Sequence, residues 1–161
     1  MDRTQTRSQS ANSRAYSPDP TRVLDEGEKM ARQQLNKARY TAPSAVILGE
    51  PEIGEGTWIG HFTVIDGSNG LKIGKNCSIA SGVHIYTHTT HLQTVKVGPK
   101  LVGKVEIGDN VAIGANSVIH FGVSIGNNSL IHALSMVNPN TKIPSHEAWG
   151  GIPAEQIKHS C

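Results

Sequence analysis

Aliphatic residues recur every six positions through the C-terminal half of the chain, at Ile107, Ile113, Ile119, Ile125, Ile131, Val137 and Ile143. Glycine follows at Gly108, Gly114 and Gly126. A small residue stands four places after the aliphatic, at Val111, Ser117, Val123, Ser129, Ser135 and Thr141. Neither a helix, with a period of about 3.6, nor a simple strand, with a period of about 2, writes this pattern. A fixed short period of aliphatic-led units is the signature of a solenoid, and a hexapeptide unit is that of a parallel β-helix. Each unit is a short strand plus a turn, and three units close one triangular coil. Residues eighteen apart, such as Ile107, Ile125 and Ile143, then stack along one inner face. The glycines are expected at turn positions whose backbone other residues resist.

Composition agrees with such a core. Aromatic residues make up only 4% of the 161 positions, so the interior has to be stacked Ile, Val, Leu and small residues. Burial of each aliphatic contributes roughly 1.5–3 kcal/mol. The net charge of +2 is mild, and much of the basic excess lies in the N-terminal tail at Arg3, Arg7, Arg14 and Arg22. Without a basic patch interleaved with aromatics, nucleic acid is not the expected partner. No apolar run is long enough to cross a membrane, and the N-terminus is hydrophilic with no signal-peptide core, so a cytoplasmic protein is expected. Cys77 falls on a small inward position and Cys161 ends the chain. Neither suggests a disulfide framework.

Read in order, residues 1–17 form a polar tail expected to be disordered. Residues 18–41 read as a helix, entered at Asp19-Pro20 and striped by Leu24, Ala31, Leu35 and Ala38, ending near Tyr40. The β-helix domain spans 44–161. Ile53, Ile59, Ile65 and Leu71 share one register, and Ile73, Ile79 and Ile85 follow displaced by two residues. Asp66-Gly67-Ser68-Asn69-Gly70 precedes that break and is expected to bulge outward. Ile85 and Ile107 are twenty-two residues apart, which is no multiple of six. An excursion from a solenoid corner, over 87–101, accounts for the difference, and such insertions carry function disproportionately. Residues beyond Ile143 are expected to close the C-terminal end.

The chain has eight histidines, and His88 and His91 lie at the start of the excursion, where a side chain can leave the wall. Imidazole, with an unperturbed pKa of about 6.5, suits general-base work at neutral pH. A solvated loop role for both is the alternative. A metal would require His84, His88 and His91 to fold together, and none is expected. His120 and His132 should project from different walls. Asp66 lies beside the register break, near an edge that a substrate could reach. Trp58 and Trp149 could stack on a ligand or pack on a cap.

The hexapeptide units Ile53-Gly54-Glu55-Gly56-Thr57-Trp58 and Ile113-Gly114-Ala115-Asn116-Ser117-Val118, the histidine-bearing loop and the closing Gly151-Ile152-Pro153-Ala154 resemble those of the hexapeptide-repeat acyltransferases. The resemblance is in particular to the maltose/galactoside O-acetyltransferase-like group. The resemblance implies an all-β solenoid, a left-handed parallel β-helix that assembles as a homotrimer. It implies sites between subunits, acetyl-CoA as donor, and a sugar hydroxyl as acceptor. It places the catalytic histidine within Ile85–His91, where the motif's own position falls on Thr89, with His88 first and His91 second. It also implies acceptor contact by Asp66 and cofactor contact by Ala115, Ala133, Thr141, Lys142 and Lys158. N-acetylation of an amino sugar, a γ-type carbonic anhydrase with interfacial zinc, and a non-catalytic scaffold are the rival readings.

Overall fold

The computed structural model describes residues 38–158. Within them are nineteen short strands, β1–β19, all but β9 and β10 of which lie on three flat faces. Face A carries β1 (Tyr40–Thr41), β4 (Trp58–Ile59), β7 (Ser78–Ile79), β12 (Ala112–Ile113), β15 (Leu130–Ile131) and β18 (Ala148–Gly151), with β19 (Ala154–Gln156) folded back antiparallel on β18. Face B carries β2 (Val46–Gly49), β5 (Val64–Gly67), β8 (His84–Ile85), β13 (Val118–Ile119) and β16 (Met136–Val137). Face C carries β3 (Glu52–Ile53), β6 (Leu71–Ile73), β11 (Val105–Ile107), β14 (Ser124–Ile125) and β17 (Lys142–Ile143). Pairing between successive coils is parallel throughout these faces, and the fold is the left-handed β-helix expected from the repeats.

The six-residue period builds the core directly. Ile59, Ile79, Ile113 and Ile131 stack behind face A; Ile65, Ile85, Ile119 and Val137 behind face B; Ile53, Ile73, Ile107, Ile125 and Ile143 behind face C. All are buried. The small inward residues fill the corners, and their hydroxyls serve turn carbonyls that would otherwise lie unpaired. Thr57 Oγ1 donates to the Gly74 carbonyl at 2.8 Å, and Ser117 Oγ to that of His132 at 2.9 Å. Cys77 sits in this row, and burial pushes its thiol up from the ordinary range, as suits a core position.

The glycines after the aliphatic serve a different purpose from the one expected. The left-handed backbone of each turn falls two residues later, at Asn110, Asn116 and Asn128, with φ between 56° and 57°. Gly114 is instead required by proximity: a Cβ there would lie 2.3 Å from the Ala133 amide nitrogen in the next coil. Asparagine tolerates the left-handed region better than most residues, so the two needs are met by two residue types.

The expected N-terminal helix over 18–41 lies almost wholly outside the described residues, as does the 1–17 tail. Where the two overlap, Tyr40–Thr41 is strand rather than helix end, paired with Trp58 and Ile59. The Tyr40 and Trp58 rings stack at 4.2 Å, so the first rung begins one face earlier than Val46. No helix among the described residues is long and apolar enough to cross a membrane.

The three faces differ outside. Face C presents Glu52, Lys72, Glu106, Ser124 and Lys142 in register, a ladder of alternating charge. Face B presents Val46, Val64, His84, Val118 and Met136, which is nearly apolar. The excursion leaves between faces B and C. It is an antiparallel pair, β9 (His88–Thr89) with β10 (Leu101–Val102), bridged by the single-turn helix α1 (His91–Thr94). Val95, Val97 and Val102 on it are exposed.

Candidate active site

The register break turns out to build a site. The coil from Ile65 to Ile85 takes twenty residues, where Ile119 to Val137 takes eighteen. β5 extends past its pairing with β8 to Asp66 and Gly67. There the Asp66 side chain replaces a backbone acceptor. Its Oδ2 accepts from the Thr87 backbone N–H at 3.2 Å and from Thr87 Oγ1 at 3.1 Å, and its Oδ1 accepts from the Ser68 N–H at 2.9 Å. Asp66 is wholly inaccessible to solvent. Burial pushes its carboxyl up, but the hydrogen bonds from Ser68 and Thr87 outweigh it and hold the group below the ordinary carboxylate range.

One residue past Thr87, His88 Nδ1 lies 2.9 Å from Asp66 Oδ2. An anionic acceptor at Nδ1 fixes the proton there and leaves the lone pair on Nε2. The His88 side chain is 30% exposed, so its ring reaches solvent while its partner does not. His91, the second candidate, stands on α1 in an exposed position, and its Nδ1 meets Thr89 Oγ1 at 2.8 Å. No carboxylate holds it among the described residues. Burial, and His91 beside it, push the His120 imidazole below its usual range. His84 Nδ1 pairs with the Tyr86 hydroxyl at 3.0 Å.

Asp66 was expected to touch an acceptor. It is fully buried in the single chain, with His88 Nδ1 2.9 Å from its carboxylate. Sequence reasoning missed this pairing because Asp66 follows the inward Ile65, and strict alternation would point it outward. The twenty-residue coil is the signal that could have revealed it.

The residues expected at the cofactor do not gather in one chain. Ala115 and Ala133 occupy successive turns on the A–B edge, joined by the Leu134 N–H to Ala115 carbonyl bond at 2.9 Å. His88 is on the opposite, B–C edge of face B. Thr141 donates its hydroxyl to the Asn138 carbonyl at 2.8 Å, and Lys142 lines a depression of about 400 Å³ on face C with Lys104 and Ser124. Lys158 is exposed beyond β19. His120 and His132 do lie on different edges, as expected. A groove of about 1210 Å³ runs along the C–A corner between Arg39, Glu52, Lys72, Lys75 and Asp109. No histidine lines it; His88 lies on the B–C edge.

A profile described as the hexapeptide repeat of succinyl-transferase matches residues 52–87 and 104–133, and the interval between the two is the excursion. Gamma carbonic anhydrase 2 of Arabidopsis thaliana mitochondria is 32% identical over 142 residues, covering 77% of this chain and 49% of that protein. The chain spans about half the length of such curated relatives. Among solved structures, a maltose O-acetyltransferase from Clostridium difficile 630 superposes with a TM-score of 0.62 at 27% identity, covering 86% of this chain and 78% of that one. AntD, an N-acyltransferase from Bacillus cereus solved with dTDP and 3-hydroxybutyryl-CoA, gives 0.64 at 25% identity, covering 71% and 65%.

Proposed function

We infer, for a chain that belongs to the hexapeptide-repeat family, that it is an acyltransferase which moves the acetyl group of acetyl-CoA to a sugar hydroxyl. The observation that carries this reading is the buried carboxylate of Asp66 against His88 Nδ1, at the root of the excursion. His88 Nε2 takes the proton of the acceptor hydroxyl as its oxygen attacks the thioester carbonyl. The tetrahedral intermediate collapses, the C–S bond breaks, and the departing CoA sulfur receives the proton back from His88. Asp66 keeps the imidazole in the productive tautomer and stabilises the imidazolium that forms in between. A solved relative named as a maltose O-acetyltransferase supports a sugar acceptor, and an N-acyltransferase bound to dTDP and an acyl-CoA supports a CoA-linked donor.

The donor is expected along Ala115 and Ala133, whose small side chains leave room for a thin pantetheine arm, with Thr141, Lys142 and Lys158 toward its polar end. Since these alanines and His88 sit on opposite edges of face B, one chain cannot assemble the reaction. A head-to-tail ring, in which the A–B edge of one copy meets the B–C edge of the next, brings the two edges together and closes as a homotrimer. The apolar row on face B and the exposed valines of the excursion fit burial in such a ring. Val118→Glu, which places a charge in the middle of that row, is expected to convert the assembly to monomers by light scattering and to remove acetyl-CoA binding. A monomeric native protein, or an unchanged variant, overturns the ring.

Calorimetry with acetyl-CoA tests the function before any acceptor is known. The expected result is one site per chain at micromolar strength, followed by thiol release when maltose is supplied as acceptor probe. No binding removes the reading. A second reading, a zinc enzyme of the carbonic anhydrase type, is favoured by the 32% identity to such a relative. It would need histidines from two copies, because among the described residues no three metal-binding side chains come together in one chain. Stoichiometric zinc and carbon dioxide hydration would replace the first reading with this one.

A further inference from the structure

We propose that Thr87 is a positioning residue: its buried hydroxyl clamps Asp66 to the register-break turn and thereby sets which nitrogen of His88 carries the proton. The inference rests on the acyl-transfer reading for its purpose but not for its test.

The geometry is a closed relay. Thr87 Oγ1 donates to Asp66 Oδ2 at 3.1 Å, so it must take its own hydrogen bonds from elsewhere. It does so from Asn69, whose backbone N–H reaches it at 3.2 Å and whose Nδ2 reaches it at 3.4 Å. Ser68 N–H holds the other carboxylate oxygen at 2.9 Å. Ser68 and Asn69 lie within the irregular segment that lengthens this coil to twenty residues. Both of their N–H groups are spent on this one cluster. The irregular turn is therefore a cradle of donors for a carboxylate and a hydroxyl that are both fully buried.

Thr87 matters to His88 because Asp66 Oδ2 is shared. It receives Thr87 N–H and Thr87 Oγ1–H, and His88 Nδ1 stands 2.9 Å from it. Remove the hydroxyl and the carboxylate loses one of the donors that oppose rotation about its own χ2 axis, leaving the Ser68 and Thr87 N–H groups. Asn69 then loses its acceptor, and its Nδ2 stands 3.5 Å from His88 Nδ1. An amide donor freed beside Nδ1 favours the tautomer with its lone pair there, which moves the proton to Nε2 and silences the base. The single hydroxyl thus separates two states of the same ring.

The test reads the imidazole directly. Long-range nitrogen–proton NMR on the ¹⁵N-histidine-labelled full chain distinguishes the two neutral tautomers of His88. The native protein is expected to show Nδ1–H. Thr87→Val, which keeps shape and removes the hydroxyl, is expected to show loss of that single form in favour of a mixture. Thr87→Ser, which keeps the hydroxyl, is expected to restore it. Should valine disturb the coil, Thr87→Ala against Thr87→Ser isolates the same hydroxyl at smaller volume. A pure Nδ1–H tautomer in the Val or Ala protein overturns the proposal. Because no turnover is measured, this result and a failure to bind acetyl-CoA can occur independently, and each rejects only its own claim.

Discussion

Replacing His88 with alanine is expected to lower the kcat of thiol release from acetyl-CoA by about 10²–10⁴-fold, the usual contribution of a positioned general base. Acetyl-CoA affinity should stay within about threefold, because His88 faces the acceptor and not the pantetheine wall in the proposed arrangement. His91→Ala is the control that separates the two candidates. His91 is exposed on a one-turn helix and is tied to a threonine hydroxyl, so nothing anionic fixes its tautomer. Its loss should cost less than about tenfold. Parallel kinetics on the two variants, with calorimetry for the donor, decide the matter. If His91→Ala is the damaging change and His88→Ala is mild, the base has been assigned to the wrong side of Thr89.

The contrast between these two histidines was only half visible in the sequence. The six-residue period made the coil legible: it put Ile119 and Ile125 behind their faces, and the twenty-two residues between Ile85 and Ile107 announced the excursion. Periodicity speaks about what repeats. The site is made where repetition stops, by a two-residue lengthening that carries Asp66 under the departing chain. No rule of alternation buries an aspartate directly after an inward isoleucine; the cover provided by Thr87 and His88 does so, and it depends on the path of the excursion. The first rung failed to be legible for a similar reason. Tyr40–Thr41 has strand pairing supplied by Trp58 and Ile59, eighteen residues on, and a local helix stripe cannot register a partner at that distance. The glycines that directly follow the inward aliphatics were illegible for the same reason, because a close approach between coils, such as Gly114 to Ala133, is a contact across the same span.

Asp66→Asn is expected to reduce kcat by roughly 10²–10⁴-fold with little change in acceptor KM, as when the histidine of a Ser-His-Asp triad loses its carboxylate. The amide cannot satisfy the four donors that now converge on the two oxygens. Only one oxygen remains, and the NH₂ group must face either the Ser68 N–H or the Thr87–His88 side. The KM–kcat split separates two roles for Asp66: contact with the acceptor would make the substitution raise KM, and that outcome would sink a role behind His88. The double variant with His88→Ala should be no slower than His88→Ala alone, because a residue that acts through the imidazole has nothing left to act on. Stability gives a second signature. Asp66 is held below its unfolded pKa of about 3.9, so its charged form favours the folded chain at neutral pH. That contribution is complete above the unfolded value and disappears as pH falls through the lower folded value. The difference in denaturation midpoint between native and Asp66→Asn protein should therefore be large at pH 7 and shrink steadily as the pH is taken below about 4. A difference that stays constant across that range would mean that the carboxylate charge is not what the cradle of donors holds.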